Sequence, residues 1–247
     1  MGNVDLQPVL VGDRVSAAGI LREDGSSHRL LMRGEGVYGE LFNATDYFAM
    51  PVRGLTGAQP DGVVTVRGVW TGAGIVDADA TDGGRGVALF SQITRRSFPD
   101  VDGVADRSEL LRTDVQDACD TIRDGALVAS LAARSEKGWF LLAAAVDVEA
   151  VRAALEPVLG PHLLVVPSTW SRDQVREAES AASAVTEAFQ SGVGWDTDGR
   201  FRAHMLVHHI SPELAAAVKR YPAEIVHVEA WLKHLSADGE PLRRPAC

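Results

Sequence analysis

Trp139-Phe140-Leu141-Leu142-Ala143-Ala144-Ala145-Val146, then Asp147, then Val148 to Leu159, then Gly160-Pro161, then His162 to Val166, is the stretch that decides the fold. The opening run is apolar throughout, far too short to span a bilayer and of strand length. Asp147 is an N-cap residue and Glu149 is an acid in the first helical turn. Gly160-Pro161 stops the helix, and a second apolar run follows it. Strand, capped helix and strand in succession predict a mixed α+β domain.

The pattern continues toward the C-terminus. Ser171 and Gln174 form a capping-box pair ahead of Val175, Ala178, Ala182, Val185 and Phe189, whose 3–4 spacing predicts one buried helical stripe. Gly192–Trp195 and Phe201–His209 read as a hairpin with Asp198-Gly199 in its turn. Ser211-Pro212-Glu213 supplies an N-cap, an N1 proline and a first-turn acid for a helix ending near Tyr221-Pro222. Ile225–Leu232 is the last predicted strand. Upstream, Leu111, Val115, Ala118 and Ile122 predict a helix, and Ala126–Ala133 fits helix or strand. The order of elements predicts a ferredoxin-like α+β sandwich over residues 104–235, with a flexible tail at 236–247.

Residues 11–97 obey a different grammar. Short β-type runs at Ser16–Leu21, His28–Met32, Val37–Phe42, Val63–Trp70, Ile75–Ala80 and Val87–Ile93 are separated by glycines, with turn signals at Asp24-Gly25 and Pro60-Asp61-Gly62. Asn43–Gln59 reads as irregular. So many short strands in so few residues predict a small closed β-barrel, because a flat sheet would leave both edges open. Phe98 to Gly103 reads as the linker.

The glycine-punctuated order with Val63–Trp70 as a late long strand resembles the OB fold, which implies an oligonucleotide- or oligosaccharide-binding barrel. The C-terminal block resembles an actinobacterial ferredoxin-like module of unknown function. The resembling residues are Val165-Val166, Ser171-Arg172, Val207 and Tyr221-Pro222-Ala223-Glu224-Ile225-Val226. That resemblance implies a fold and no activity.

Composition narrows the function classes. The net charge is −10, and residues 1–100 hold 9 basic against 12 acidic side chains. Neither half is a basic domain, which disfavours nucleic-acid binding without a local patch. The N-terminal residues show no secretory signal, so a cytoplasmic location is expected. The two cysteines, Cys119 and Cys247, make no disulfide scaffold, and Cys119 reads as a small core residue. No phosphate loop, nucleotide fingerprint or nucleophile elbow is present. Asp196 to Gly199 and Asp77-Ala78-Asp79 lack the closing Glu of a calcium loop and read as turns and strand ends.

One constellation stands out. Strand parity puts Arg202, His204, Leu206 and His208 on one face of Arg200–His209, opposite Ala203, Met205 and Val207. The same parity puts His227, Glu229, Trp231 and Lys233 on one face of the last strand. A helix-free sheet face carrying Arg202, His204, His208, His227, Glu229 and Trp231 is therefore expected to be the working surface. It would be covered by the first domain, a second copy of the chain or a protein partner. His209 is expected to point the other way.

His and carboxylate are zinc ligands, but strand positions i and i+4 lie about 13 Å apart, so no metal or cofactor is expected. The leading expectation is a non-enzymatic binding or assembly protein with no membrane association. The alternatives are single-stranded nucleic-acid binding by the barrel, through Tyr38, Phe42, Arg33 and Arg67, and a metal-dependent hydrolase using the histidines. Trp70 shares parity with Val64 and Val66 and reads as core.

Overall fold

A computed structural model describes residues 6–35, 41–43, 49–56, 62–84, 87–88, 101–186, 188–196 and 199–235. The fold is mixed α+β, with four α-helices and three sheets among the described residues. The described residues fall into two compact units. The first is Met1–Phe90, Ser180–Gly192 and His204–Cys247, and the second is Ser91–Glu179 and Val193–Ala203.

The N-terminal strands are β1 (Arg14–Asp24), β2 (Ser27–Glu35), β3 (Leu41–Asn43), β4 (Ala49–Val52), β5 (Val63–Trp70), β6 (Ile75–Asp82) and β7 (Val87–Ala88). One edge of β1 pairs antiparallel with β5, from Arg14↔Val69 to Ile20↔Val63. The other edge is divided. Gly19 to Asp24 take β2, while Val15 and Ser16 take the late strand β14 (Lys233–His234). β5 continues into β6, β6 meets β4 in parallel at Val52↔Ile75, and β4 pairs back onto β2. The path β1-β5-β6-β4-β2 thus returns to β1, making the sheet ring-like.

Period-two patterning fills the ring. Val15 and Ala17 of β1, Leu30 and Met32 of β2, and Val64, Val66 and Trp70 of β5 lie in one buried cluster. Two glycines permit the curvature. A Cβ on Gly19 would run into the carbonyl oxygen of Leu31. Gly68 sits at a register shift between Arg67 and Val69, where a Cβ would lie 2.5 Å from the carbonyl oxygen of Val76. A bulge of this kind bends a strand and tightens its twist.

β4 was not expected, since Asn43–Gln59 reads as irregular. Its sequence, Ala49-Met50-Pro51-Val52, has a central proline that gives up one ladder donor. Met50 and Val52 are nonetheless buried in the ring core. Of the predicted strand Val37–Phe42 only Leu41 and Phe42 fall within described residues, in β3. Asp77-Ala78-Asp79, expected at a strand end, lies inside β6, with Asp77 at φ 49° in the left-handed region that aspartate tolerates.

The remaining elements are α1 (Thr113–Ile122), β8 (Leu127–Ser135), β9 (Gly138–Ala145), α2 (Val148–Leu159), β10 (Leu163–Pro167), α3 (Arg172–Ser183), β11 (Ala188–Trp195), β12 (Phe201–Val207), α4 (Pro212–Val218) and β13 (Val226–Ala230). β9 is the middle strand of a sheet ordered β10-β9-β8, parallel to β10 and antiparallel to β8. Both of its faces are covered. Leu141, Ala143 and Ala145 pack in a cluster with Val115 of α1 and Val151 and Leu155 of α2. Phe140, Leu142 and Ala144 pack in another with Val128, Trp195 and Phe201. This burial on both sides is why the run 139–146 is apolar without alternation.

The caps fall where the residue types place them. Asp147 accepts from the Ala150 N–H at 3.0 Å, and Ser211 accepts from the Leu214 N–H at 3.1 Å. Ser171 and Gln174 exchange hydrogen bonds as a capping box. Two stripes end differently from expectation. Leu111 is exposed and Leu110 buried, because a 3-10 turn over Arg107–Leu111 precedes α1. α3 ends at Ser183; Val185 is exposed and Phe189 belongs to β11, packed against the ring core. The β-branched pair Val185-Thr186 is a poor helix continuation, and Phe189 gains burial by leaving the stripe. No helix among the described residues is long and apolar enough to cross a membrane.

Candidate functional site

Two members of the predicted histidine–tryptophan face, Leu206 and Trp231, are buried within the first unit. Trp231 is 1% exposed and Leu206 is 4% exposed, and both belong to the buried cluster that contains Val15, Ala17, Val66 and Trp70. The indole N–H of Trp231 donates to the Ala18 carbonyl oxygen at 2.8 Å. Leu206 and Trp231 are therefore covered by residues of β1 and β5.

The histidines separate into two groups. His204 is buried and its ring stands 5.5 Å from that of His227, across β12 and β13. His208 lies just past the end of β12, against Trp70 at 5.3 Å, Trp231 at 5.5 Å and Phe189 at 6.1 Å. His209 also meets Trp70, at 5.6 Å, and its Nδ1 lies 3.3 Å from that of His208. Strand parity no longer applies there, because β12 ends at Val207; that is why His209 does not point away. Burial pushes the His208 pKa down to about 4, and the charge of His209 works in the same direction. Burial also lowers the His209 pKa, opposed by Glu213.

The remaining candidates have other partners. Glu229 pairs with Lys233 at 3.2 Å. Arg202 is buried in an ion pair with Asp196, whose other oxygen accepts from the Arg200 N–H at 2.9 Å at the β11–β12 turn. Among the described residues no group of three or more His, Cys, Asp or Glu side chains is placed to hold a metal ion. Arg67 is half-buried on β5, with an Nε that has no hydrogen-bond partner among the described residues. Tyr38 and the side chains of Arg33 and Phe42 lie outside what the structure describes.

A cavity of about 320 Å³ lies in the second unit, at a place the sequence did not mark as a site. Its polar lining is Arg123, Ser130 and Arg172; Leu127, Val128, Ala129, Val193 and Phe201 make the rest apolar. Arg123 follows the last residue of α1 and is ion-paired with Asp120. Arg172 is the first residue of α3, half-buried, in no ion pair with a described residue.

Leu127 to Ser130 come from β8, the outer strand of its sheet, where the register slips between Leu127 and Ala129. Leu127 and Val128 pack into clusters on opposite faces of that strand. Beside it, burial pushes the Cys119 thiol pKa up, against the opposing pull of the Ser130 hydroxyl and Arg123. A raised pKa lowers the share of thiolate, the reactive form of cysteine.

The signal for this cavity in the sequence is faint. Arg172 sits in the capping box and Arg123 among surface aspartates, and nothing in their spacing brings them together. No protein-family model matches the chain, and no curated protein matches it.

Proposed function

We propose that this chain is a non-enzymatic binding protein whose ligand site is the cavity of the second unit. In this reading the first unit is an OB-like barrel and the C-terminal elements are a ferredoxin-like variant. The observation that carries the function is a cavity of about 320 Å³ lined by two arginines and a serine among apolar residues. Ligand sites are typically concave, mostly apolar and furnished with a few placed polar groups. The histidine–tryptophan face supports assembly only in the sense of joining late strands to early ones within one unit. The hydrolase alternative draws no support from Glu229, which is engaged by Lys233.

The test is a thermal-shift screen against small anions, nucleotides, divalent metals and short single-stranded oligonucleotides. A ligand at about a hundred times its dissociation constant adds about 2.7 kcal/mol, several degrees of midpoint for a protein of this size. Stabilisation that disappears in Val193→Trp, which fills the cavity, supports the reading. Stabilisation that survives that change sinks it.

A second reading, single-stranded nucleic-acid binding by the ring, is favoured by strand order. A ring running β1-β2-β4-β6-β5, with β1 shared and β4–β6 parallel, suits an OB-like barrel. It predicts oligonucleotide affinity that falls with salt and is lost in Tyr38→Ala or Phe42→Ala without unfolding.

A further inference from the structure

We infer that the ligand of this cavity is a small organic monoanion, a carboxylate on an apolar body. The inference rests on the reading of the cavity as the ligand site and adds its chemistry.

Charge decides the polar end. Arg123 is already offset by Asp120, whereas Arg172 is in no ion pair with a described residue. The two arginines and that aspartate leave one positive charge at the cavity, which suits a ligand carrying one negative charge. In a chain of net charge −10, two guanidinium groups on one small cavity are not a by-product of general basicity. The planar guanidinium fork matches a carboxylate bidentately, and its charge-assisted hydrogen bonds are the strong kind.

The lining decides the other end. Leu127 and Val128 are buried in the packing on either side, but Ala129, Val193 and Phe201 are partly exposed and give a short aliphatic or aromatic body a surface to lie against. A cavity of about 320 Å³ is at the small end of the range for ligand sites, so the body is small.

The probes are phenylacetate and hexanoate, their neutral amides phenylacetamide and hexanamide, and inorganic phosphate, titrated calorimetrically into the full chain. Both acids should bind, with the amides weaker by about tenfold or more for want of the charge-assisted hydrogen bond, and phosphate weaker by a similar factor for want of an apolar body. Arg172→Gln should weaken the acids by a similar factor and leave the amides unchanged, while Arg172→Lys should restore part of the loss.

Amides binding as tightly as acids, or acids indifferent to Arg172→Gln, would overturn the anion assignment while leaving the cavity as the site. Acid binding unaffected by Val193→Trp would instead overturn the site itself. Val193→Phe, a smaller intrusion, serves if the tryptophan variant does not fold. Absence of binding by both acids overturns the inference as well.

Discussion

The indole N–H of Trp231 donates to the carbonyl oxygen of Ala18 over 2.8 Å, joining residues 213 positions apart in the chain. Ala18 lies on the divided edge of β1, between the residues that pair with β14 and those that pair with β2. The indole enters that interval while its ring joins the ring-like sheet's core. A side chain that parity places on an open sheet face is thus a structural member of the first unit.

Trp231→Phe keeps an aromatic ring and removes the donor, so it should cost about 1–3 kcal/mol, measured by urea denaturation. Trp231→Asp puts a carboxylate among Val15, Val66 and Trp70 and should prevent folding of the first unit. A stable, well-folded Trp231→Asp protein would mean that the face is open after all.

His208 makes stability depend on pH in a defined direction. The unfolded chain takes up this proton near pH 6.5, whereas the folded protein holds the imidazole neutral down to about 4. Between those values the unfolded state binds more protons, so its contribution is complete above about 6.5 and is lost as pH falls toward 4. The loss should reach roughly 3 kcal/mol once pH is below about 4. Urea midpoints measured at about pH 7.5 and about pH 4.5 should converge in His208→Phe relative to the parent. An identical pH slope in both proteins would contradict the assignment.

Asp196→Ala removes the carboxylate paired with the buried guanidinium of Arg202 and should destabilise by roughly 3–5 kcal/mol. The double variant Asp196→Leu with Arg202→Met removes both charges and should recover much of that loss. Chemical denaturation of Asp196→Leu, Arg202→Met and the double variant completes the cycle.

Gly19→Ala should destabilise by about 1–3 kcal/mol, because the new methyl meets the Leu31 backbone inside the ring. Gly125→Ala meets nothing within 4 Å and serves as the control. There the loss of unfolded-state freedom should leave stability unchanged or raise it slightly. Thermal midpoints of the pair should separate clearly.

Several elements were legible because their signals are local. The caps at Asp147, Ser171 and Ser211 need only a side chain and a nearby N–H. β5 spans Val63–Trp70, as its alternation requires. β4 was missed because Pro51 obscures it, and its pairing with β2 and β6 is a long-range fact. Phe189 was misplaced for a similar reason: it continues a helical spacing, yet its burial comes from the ring core.

What the sequence determined by itself is the α+β class, the caps, most strands and the apolar character of the core, since these follow from periodicity and local hydrogen bonding. Tertiary structure alone decided which faces meet. Parity put His204, His208 and Trp231 on one side of their strands, but it is silent about whether solvent or β1 lies opposite. Only closure of the ring answers that, because burial is a property of the partner surface. The cavity is the same kind of fact. Arg123, just past the end of α1, and Arg172, at the start of α3, line one space with residues of β8, and no spacing along the chain encodes that convergence.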